Sequence, residues 1–393
     1  MNYRKLFKEH KVIRDLSLVQ FISYFGAWFS NVAIYTMLVN FGSSALAISV
    51  VTAMHFLPAV LIAPFSGAII DRFKIKPLML SLLIIEFFMT LSFLLIDSKE
   101  QIWLLLIFIF IRMSSASMFF STEMSLLAKL VKGPTLQKAN EIHSIIWSFC
   151  YAFGMAVSGV VVNYIGAKPA IIIDSLFFLL AIVVFAKINF VVKDSKITDK
   201  FFTIIKDGFI YIKSNKILIH LILLHASVGL TSFDALVTLL AKNEYKYVIA
   251  VPLAIGISNA IRAFALMIGP YFLGRFANKN TFFYILIFQG FAIALWATLQ
   301  FNFYYALIGL FFTGFFTTVI WSYTYALLQE NCEEKYLGRV ISYNDMIFML
   351  SNVVTTIFIG LMASLTSLDI ITYIISSIFI LVAFYYKKVL QWL

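Results

Sequence analysis

Apolar residues run through this chain in long unbroken blocks separated by short polar or charged stretches. Each block reaches the length, about 20 residues, that carries a helix across a bilayer core. The pattern predicts twelve spans, at roughly 17–41, 45–70, 78–97, 102–124, 141–163, 168–189, 217–240, 248–273, 281–299, 303–328, 340–364 and 368–386. Backbone polar groups have no water to bond to in hydrocarbon, so every span is expected to be helical.

The longest polar stretch, residues 191–216, has Lys193, Asp194, Lys196, Asp199 and Lys200 at its centre. It divides the chain into an N-terminal six-helix bundle (1–190), a cytoplasmic linker (191–216) and a C-terminal six-helix bundle (217–393). Each half carries a similar element after its second helix. In the first it is Asp71, Arg72 and Phe73; in the second it is Gly274, Arg275 and Phe276, followed by Lys279. Internal repeats of this kind build many transporters, with the substrate held near the midplane between them.

Charge placement sets the expected orientation. Lys and Arg crowd the N-terminus and every second loop, whereas the intervening loops hold only Lys99, Lys168, Lys242 and Lys246. Because cytoplasmic loops accumulate these residues, both termini are expected in the cytoplasm. Arg4, Lys5, Lys8, Lys11 and Arg14 resemble the n-region of a signal peptide. Span 1 is too long for the apolar region of one, so it reads as a retained helix.

Composition narrows the class. The chain is 62% hydrophobic and 12% charged, with a mean hydropathy of +0.95, whereas a soluble chain is about a quarter charged. The net charge of +11 is scattered over short loops that face anionic lipid headgroups, which argues against nucleic acid as a partner. Cys150 and Cys332 have no neighbours at metal-ligand spacing, so neither a structural disulfide nor a metal site is expected. The sequence lacks a His-Glu-x-x-His zinc motif, a Gly-x-Ser-x-Gly elbow and a phosphate-cradling loop. The expectation is therefore a cofactor-free carrier, not an enzyme, driven by an ion gradient or by the gradient of its own substrate.

With the two-bundle pattern in view, the chain resembles the major facilitator superfamily, specifically the bacterial exporters that include macrolide efflux pumps and the enterobactin exporter. The resemblance rests on the stretch Gln20–Phe29, on Leu57 and Pro58, on Pro64–Lys76 with its Gly67, Asp71, Arg72, Lys74 and Lys76, on Ala139 and Asn140, and on Gly338–Ser342. It implies an all-α membrane fold of twelve helices, working as a monomer in the bacterial inner membrane. The activity it implies is export of amphipathic, drug-like small molecules by alternating access, in exchange for protons. A siderophore or metallophore exporter, a lysophospholipid flippase and a non-transporting sensor are the alternative readings. It also implies a conformational latch at Gly67, Asp71, Arg72 and Lys76, repeated asymmetrically at Arg275, where Gly274 stands in place of the carboxylate. The chain departs from the family at Ala27, where relatives commonly carry an acid, and between Gly154 and Gly159, where the antiporter signature usually has a Gly-Pro pair.

Charges at membrane depth cost about 2.5–3.5 kcal/mol each on insertion scales and are usually paired or functional. Glu86 in span 3, Arg112 in span 4, Asp234 in span 7 and Arg262 in span 8 are the expected coupling charges, and each acid has a possible cationic partner on the next helix. By its position, Arg112 matches the fourth-helix arginine that the resemblance ties to proton coupling. With Ala27 in the first helix, Glu86 and Asp234 are the carboxyls left to carry a proton, and Asp174 is a third near the outer start of span 6. His220 and His225 either titrate near neutral pH or stay neutral and bonded across helices. Tyr24 and Trp28, and likewise Trp321 and Tyr325, are four residues apart and so share a helix face. Together with Trp147 they are the expected walls of a substrate cavity.

Overall fold

The computed structural model describes residues 3–190 and 201–393. Twelve helices are long and apolar enough to cross a membrane: α1 Lys11–Asn40, α2 Ala45–Ala63, α3 Ile75–Leu95, α4 Lys99–Leu130, α5 Lys138–Ile165, α6 Ala167–Lys187, α7 Lys216–Tyr245, α8 Val251–Phe276, α9 Phe282–Leu299, α10 Phe303–Glu330, α11 Leu337–Met362 and α12 Leu368–Trp392. No strand occurs among the described residues. An even number of crossings returns both termini to one face of the molecule, called the terminal face below; the other is the far face.

Every predicted span is present; the differences lie at helix ends and in interruptions within the second span, after Ala53, and the seventh, after Ala226. The helix of α4 continues to Leu130, and that of α5 begins at Gly133, ahead of its apolar part. Hydropathy registers only the stretch inside hydrocarbon, while the helix runs on beyond it with polar residues. The polar stretch expected as a linker also contains a helix, Phe201–Ser214, and its residues 191–200 lie outside the described residues. This helix docks at the start of α11. Tyr211 stacks on Tyr336 with ring centroids 4.0 Å apart, and the Glu333 backbone N–H donates to the Tyr211 hydroxyl at 3.1 Å.

The helices form two six-helix bundles. In the first, α1 packs on α5 and α6, and α3 packs on α4 and α6; in the second, α9 packs on α10 and α12, and α8 on α10. The bundles meet where α5 lies along α8 and α2 along α11. The α5–α8 contact brings backbone against backbone. A Cβ added to Gly159 would sit 2.8 Å from the Pro252 carbonyl oxygen and 3.1 Å from the Gly256 Cα. Small residues allow such approach in membrane bundles, where van der Waals packing drives helix association.

The apolar core is distributed unequally between the two faces. One continuous cluster joins the bundles toward the far face, from Phe29, Val32 and Met155 to Phe233, Ala254 and Ile359, and continues through the second bundle to its terminal end at Leu218, Leu328 and Tyr386. Toward the terminal face the first bundle has a separate core of its own, including Ile13, Met79, Leu126, Ile142 and Phe185. The two halves thus share one apolar core on the far side, while on the terminal side the first bundle keeps a core of its own.

Candidate functional site

Arg112 and Asp174 form the most deeply buried ion pair among the described residues. The guanidinium meets the carboxylate at 3.0 Å, with side-chain exposures of 4% and 0%. A second guanidinium nitrogen donates to the Ser30 hydroxyl at 2.6 Å, and the cation lies over the rings of Phe178 and Phe93 at 5.3 and 5.6 Å. Three helices, α1, α4 and α6, therefore converge on one charge. This corrects the expected pairing of Arg112 with Glu86, because the arginine's ion-pair partner lies on α6. Glu86 is buried on α3 and takes part in no ion pair among the described residues.

The charges in the second half are arranged around a broken helix. Helix α7 consists of Lys216–Ala226, a tight 3₁₀ stretch Ser227–Thr231 and a restart at Asp234. The hydroxyls of Ser227 and Thr231 donate to the carbonyls of Leu224 and Val228, and such local bonds compete with helical ones. The break leaves the Thr231 carbonyl in need of a donor at membrane depth. Arg262 of α8 supplies it, while another of its guanidinium nitrogens reaches the Tyr151 hydroxyl on α5 at 3.3 Å. One side chain thus caps a broken helix of the second bundle and joins that bundle to the first. The expected contact ion pair between Asp234 and Arg262 does not form among the described residues.

The aromatic residues gather into two groups. In the first bundle Trp28 stacks on Tyr151 at 4.4 Å, Trp147 meets Trp28 edge-on at 6.4 Å, and Tyr24 meets His143 edge-on at 6.0 Å. In the second, Trp321 stacks on Tyr325 at 5.0 Å, and His225 packs against both. Both histidines of α7 bond across helices, His225 to the Thr324 hydroxyl and His220 to the Tyr385 hydroxyl.

Among the ionisable groups that escaped sequence reasoning are Glu123 on α4, His143 on α5 and Asp345 on α11. Each falls at or near the end of a predicted span, where a polar residue reads as interfacial. The helices continue past those ends, so Glu123 and His143 are buried, 3.6 Å apart. Gln20 of α1 donates to the His143 carbonyl at 3.0 Å.

Where α5 and α8 part toward the terminal face they border a cleft of about 1110 Å³, lined by Leu136, Asn140, Ser144, Ile145, Pro270 and Tyr271 among others. Of the latch residues, Arg72 ends the second helix and is exposed. Lys76 Nζ donates to Asn189 Oδ1 at 3.4 Å. Arg275 lies in a 3₁₀ turn, over the Phe276 ring. Gly67 and Asp71 lie on the helix backbone, but their side-chain positions are outside the described residues.

Twelve apolar helices in two bundles, with buried charges at membrane depth, define a multi-pass membrane protein. The model of the Major Facilitator Superfamily matches residues 16–310, and the chain belongs to that superfamily. Macrolide efflux protein A of Streptococcus pyogenes is 23% identical over 335 residues, 82% of each chain. The transporter YfiS of Bacillus subtilis (strain 168) is 26% identical over 184 residues, 46% of this chain and 43% of that relative, so the match spans less than half its length. Among solved structures, the nucleoside transporter NupG superposes with a TM-score of 0.77 at 12% identity, covering 96% of this chain and 98% of that one. A bacterial homologue of the iron transporter ferroportin in its inward-facing state gives 0.69 at 16% identity, covering 97% and 99%. Identities this low establish the shared fold alone.

Proposed function

We propose that this protein is a secondary active transporter that exports amphipathic small molecules by alternating access, in exchange for protons, across a bacterial cytoplasmic membrane with both termini inside. The observation that carries the reading is the packing asymmetry: one core binds the halves at the far face, while a cleft separates α5 from α8 at the terminal face. With cytoplasmic termini this is an inward-open carrier, ready to load from the cell interior. Similarity to macrolide efflux protein A over most of both chains supports export, and the aromatic groups around Trp28 and Trp321 suit a large, partly apolar cargo. Glu86 is the proposed proton carrier. It is buried near the Arg112–Asp174 pair and takes part in no ion pair among the described residues, leaving it able to bind and release a proton as the halves rock. Gly67, Asp71, Arg72, Lys76 and Arg275 are assigned to the latch of the opposite, outward-open state.

Deleting the gene tests the reading. Retention of hydrophobic dyes and macrolides should rise several-fold in the deletion strain and return to normal with the plasmid-borne gene. Unchanged retention across a broad panel, with reduced uptake of a nutrient instead, would contradict it.

A further inference from the structure

The Glu123–His143 cluster takes no part in the assignments above. Glu123 is 2% exposed and lies 3.6 Å from His143, beyond hydrogen-bond reach. Its Oε2 and both ring nitrogens of His143 lack a hydrogen-bond partner. A pair kept for packing alone would be expected to satisfy its polar atoms, because unmade bonds at this depth are costly. Around the cluster stand aromatic faces. The Phe120 ring is 5.2 Å from His143 and that of Tyr24 6.0 Å, while Trp147 lies one turn further along α5. Phe120 and Trp147 are exposed, and Ser144 and Ile145, which follow His143, line the cleft.

The second bundle contains a similar cluster on equivalent helices. The first one draws on the first, fourth and fifth helices of its half; the other takes His225 from α7, Trp321 and Tyr325 from α10 and Phe348 from α11, with Asp345 of α11 near enough to Tyr325 to act on it electrostatically. Asp345 accepts from the Asn344 amide at 3.3 Å, and no cation pairs with it among the described residues. A carboxylate supplies opposite charge and aromatic faces supply negative quadrupoles, and together they select an organic cation over a neutral or anionic molecule of the same shape.

We infer that Glu123 anchors a binding site for an amphipathic organic cation, with Tyr24, Phe120 and Trp147 as its aromatic walls. Asp345 is its counterpart in the second bundle. The inference rests on the export reading and names the class of its cargo.

Tetraphenylphosphonium and tetraphenylborate, nearly identical in shape and opposite in charge, test it. Binding of each to the full-length protein in lipid nanodiscs is measured by calorimetry, with protein-free nanodiscs subtracted. The phosphonium should bind saturably and about ten-fold or more tighter than the borate, a margin of one decade in Kd. Glu123→Gln should remove that preference, and Trp147→Ala, which keeps the carboxyl, should weaken phosphonium binding several-fold. Equal affinity for the two ions overturns the inference, as does phosphonium binding that neither variant changes. The assay needs no gradient and no flux. A lost preference here leaves export standing, and cation binding without export would count against the export reading alone.

Discussion

Arg112 on α4 is paired with Asp174 on α6 at 3.0 Å, although Glu86 on the adjacent helix α3 offers a second carboxyl at membrane depth. The pair holds α4 to α6, and the Ser30 contact draws in α1. Glu86 is left outside the pair. Removing one partner of a buried pair leaves an uncompensated charge and costs about 3–5 kcal/mol. Arg112→Ala and Asp174→Ala should therefore each lower the thermal midpoint of the purified protein substantially. The double variant should be less destabilised than the two losses combined, because it buries no lone charge. Additive losses would mean the two residues do not act as a pair.

Arg262 joins the bundles through Tyr151 and caps the broken helix at Thr231. Arg262→Gln should weaken closure of the far face. Spin labels at the exposed positions Tyr164, at the far end of α5, and Tyr247, in the loop between α7 and α8, would show a larger share of long distances in the variant. An unchanged distribution would reduce Arg262 to a residue that serves its own helix.

Gly159 and Gly256 let α5 and α8 touch backbone to backbone. Gly159→Leu forces extra volume into that contact, at a cost of about 1–3 kcal/mol for overpacking, and should favour the state in which the far face is open. Maleimide labelling of Ser144→Cys in the terminal-face cleft should then slow several-fold. Labelling at the original rate would show that the glycine contact does not control the equilibrium.

Asp71→Asn removes the proposed latch charge with little change of volume. Transport should fall at least several-fold while membrane insertion and expression hold. Normal transport rates would return this loop to a purely topogenic role.

The fold was legible because hydrocarbon imposes one rule on every span, and the rule leaves its mark in the sequence as block length. The family was legible through Gly67–Lys76 and the residues around it. The site was legible in part. Arg112, Glu86 and Arg262 stood out as charges inside apolar runs, but partner choice depends on which helices neighbour one another, and nothing in the chain order indicates that Arg112 would meet α6. Glu123, His143 and Asp345 were hidden for a different reason. Near a span's end, hydropathy cannot separate a residue in water from one turned inward at the same height. The break in α7 was equally silent, because Ser227, Gly229 and Thr231 are common in membrane helices, and only the hydroxyl bonds reveal the 3₁₀ turn.

In the proposed cycle an imposed proton gradient drives uphill movement of cargo through this chain, with Glu86 carrying the proton. The most direct test is accumulation of a fluorescent amphiphile in proteoliposomes holding the purified protein, across an imposed pH difference and without nucleotide. Wild type should accumulate it against its gradient and lose it when the pH difference is collapsed. Glu86→Gln should still exchange cargo down its gradient but fail to concentrate it. Uphill accumulation by Glu86→Gln with the pH response of wild type would contradict the assignment of Glu86, and accumulation by wild type indifferent to the pH difference would contradict proton coupling itself.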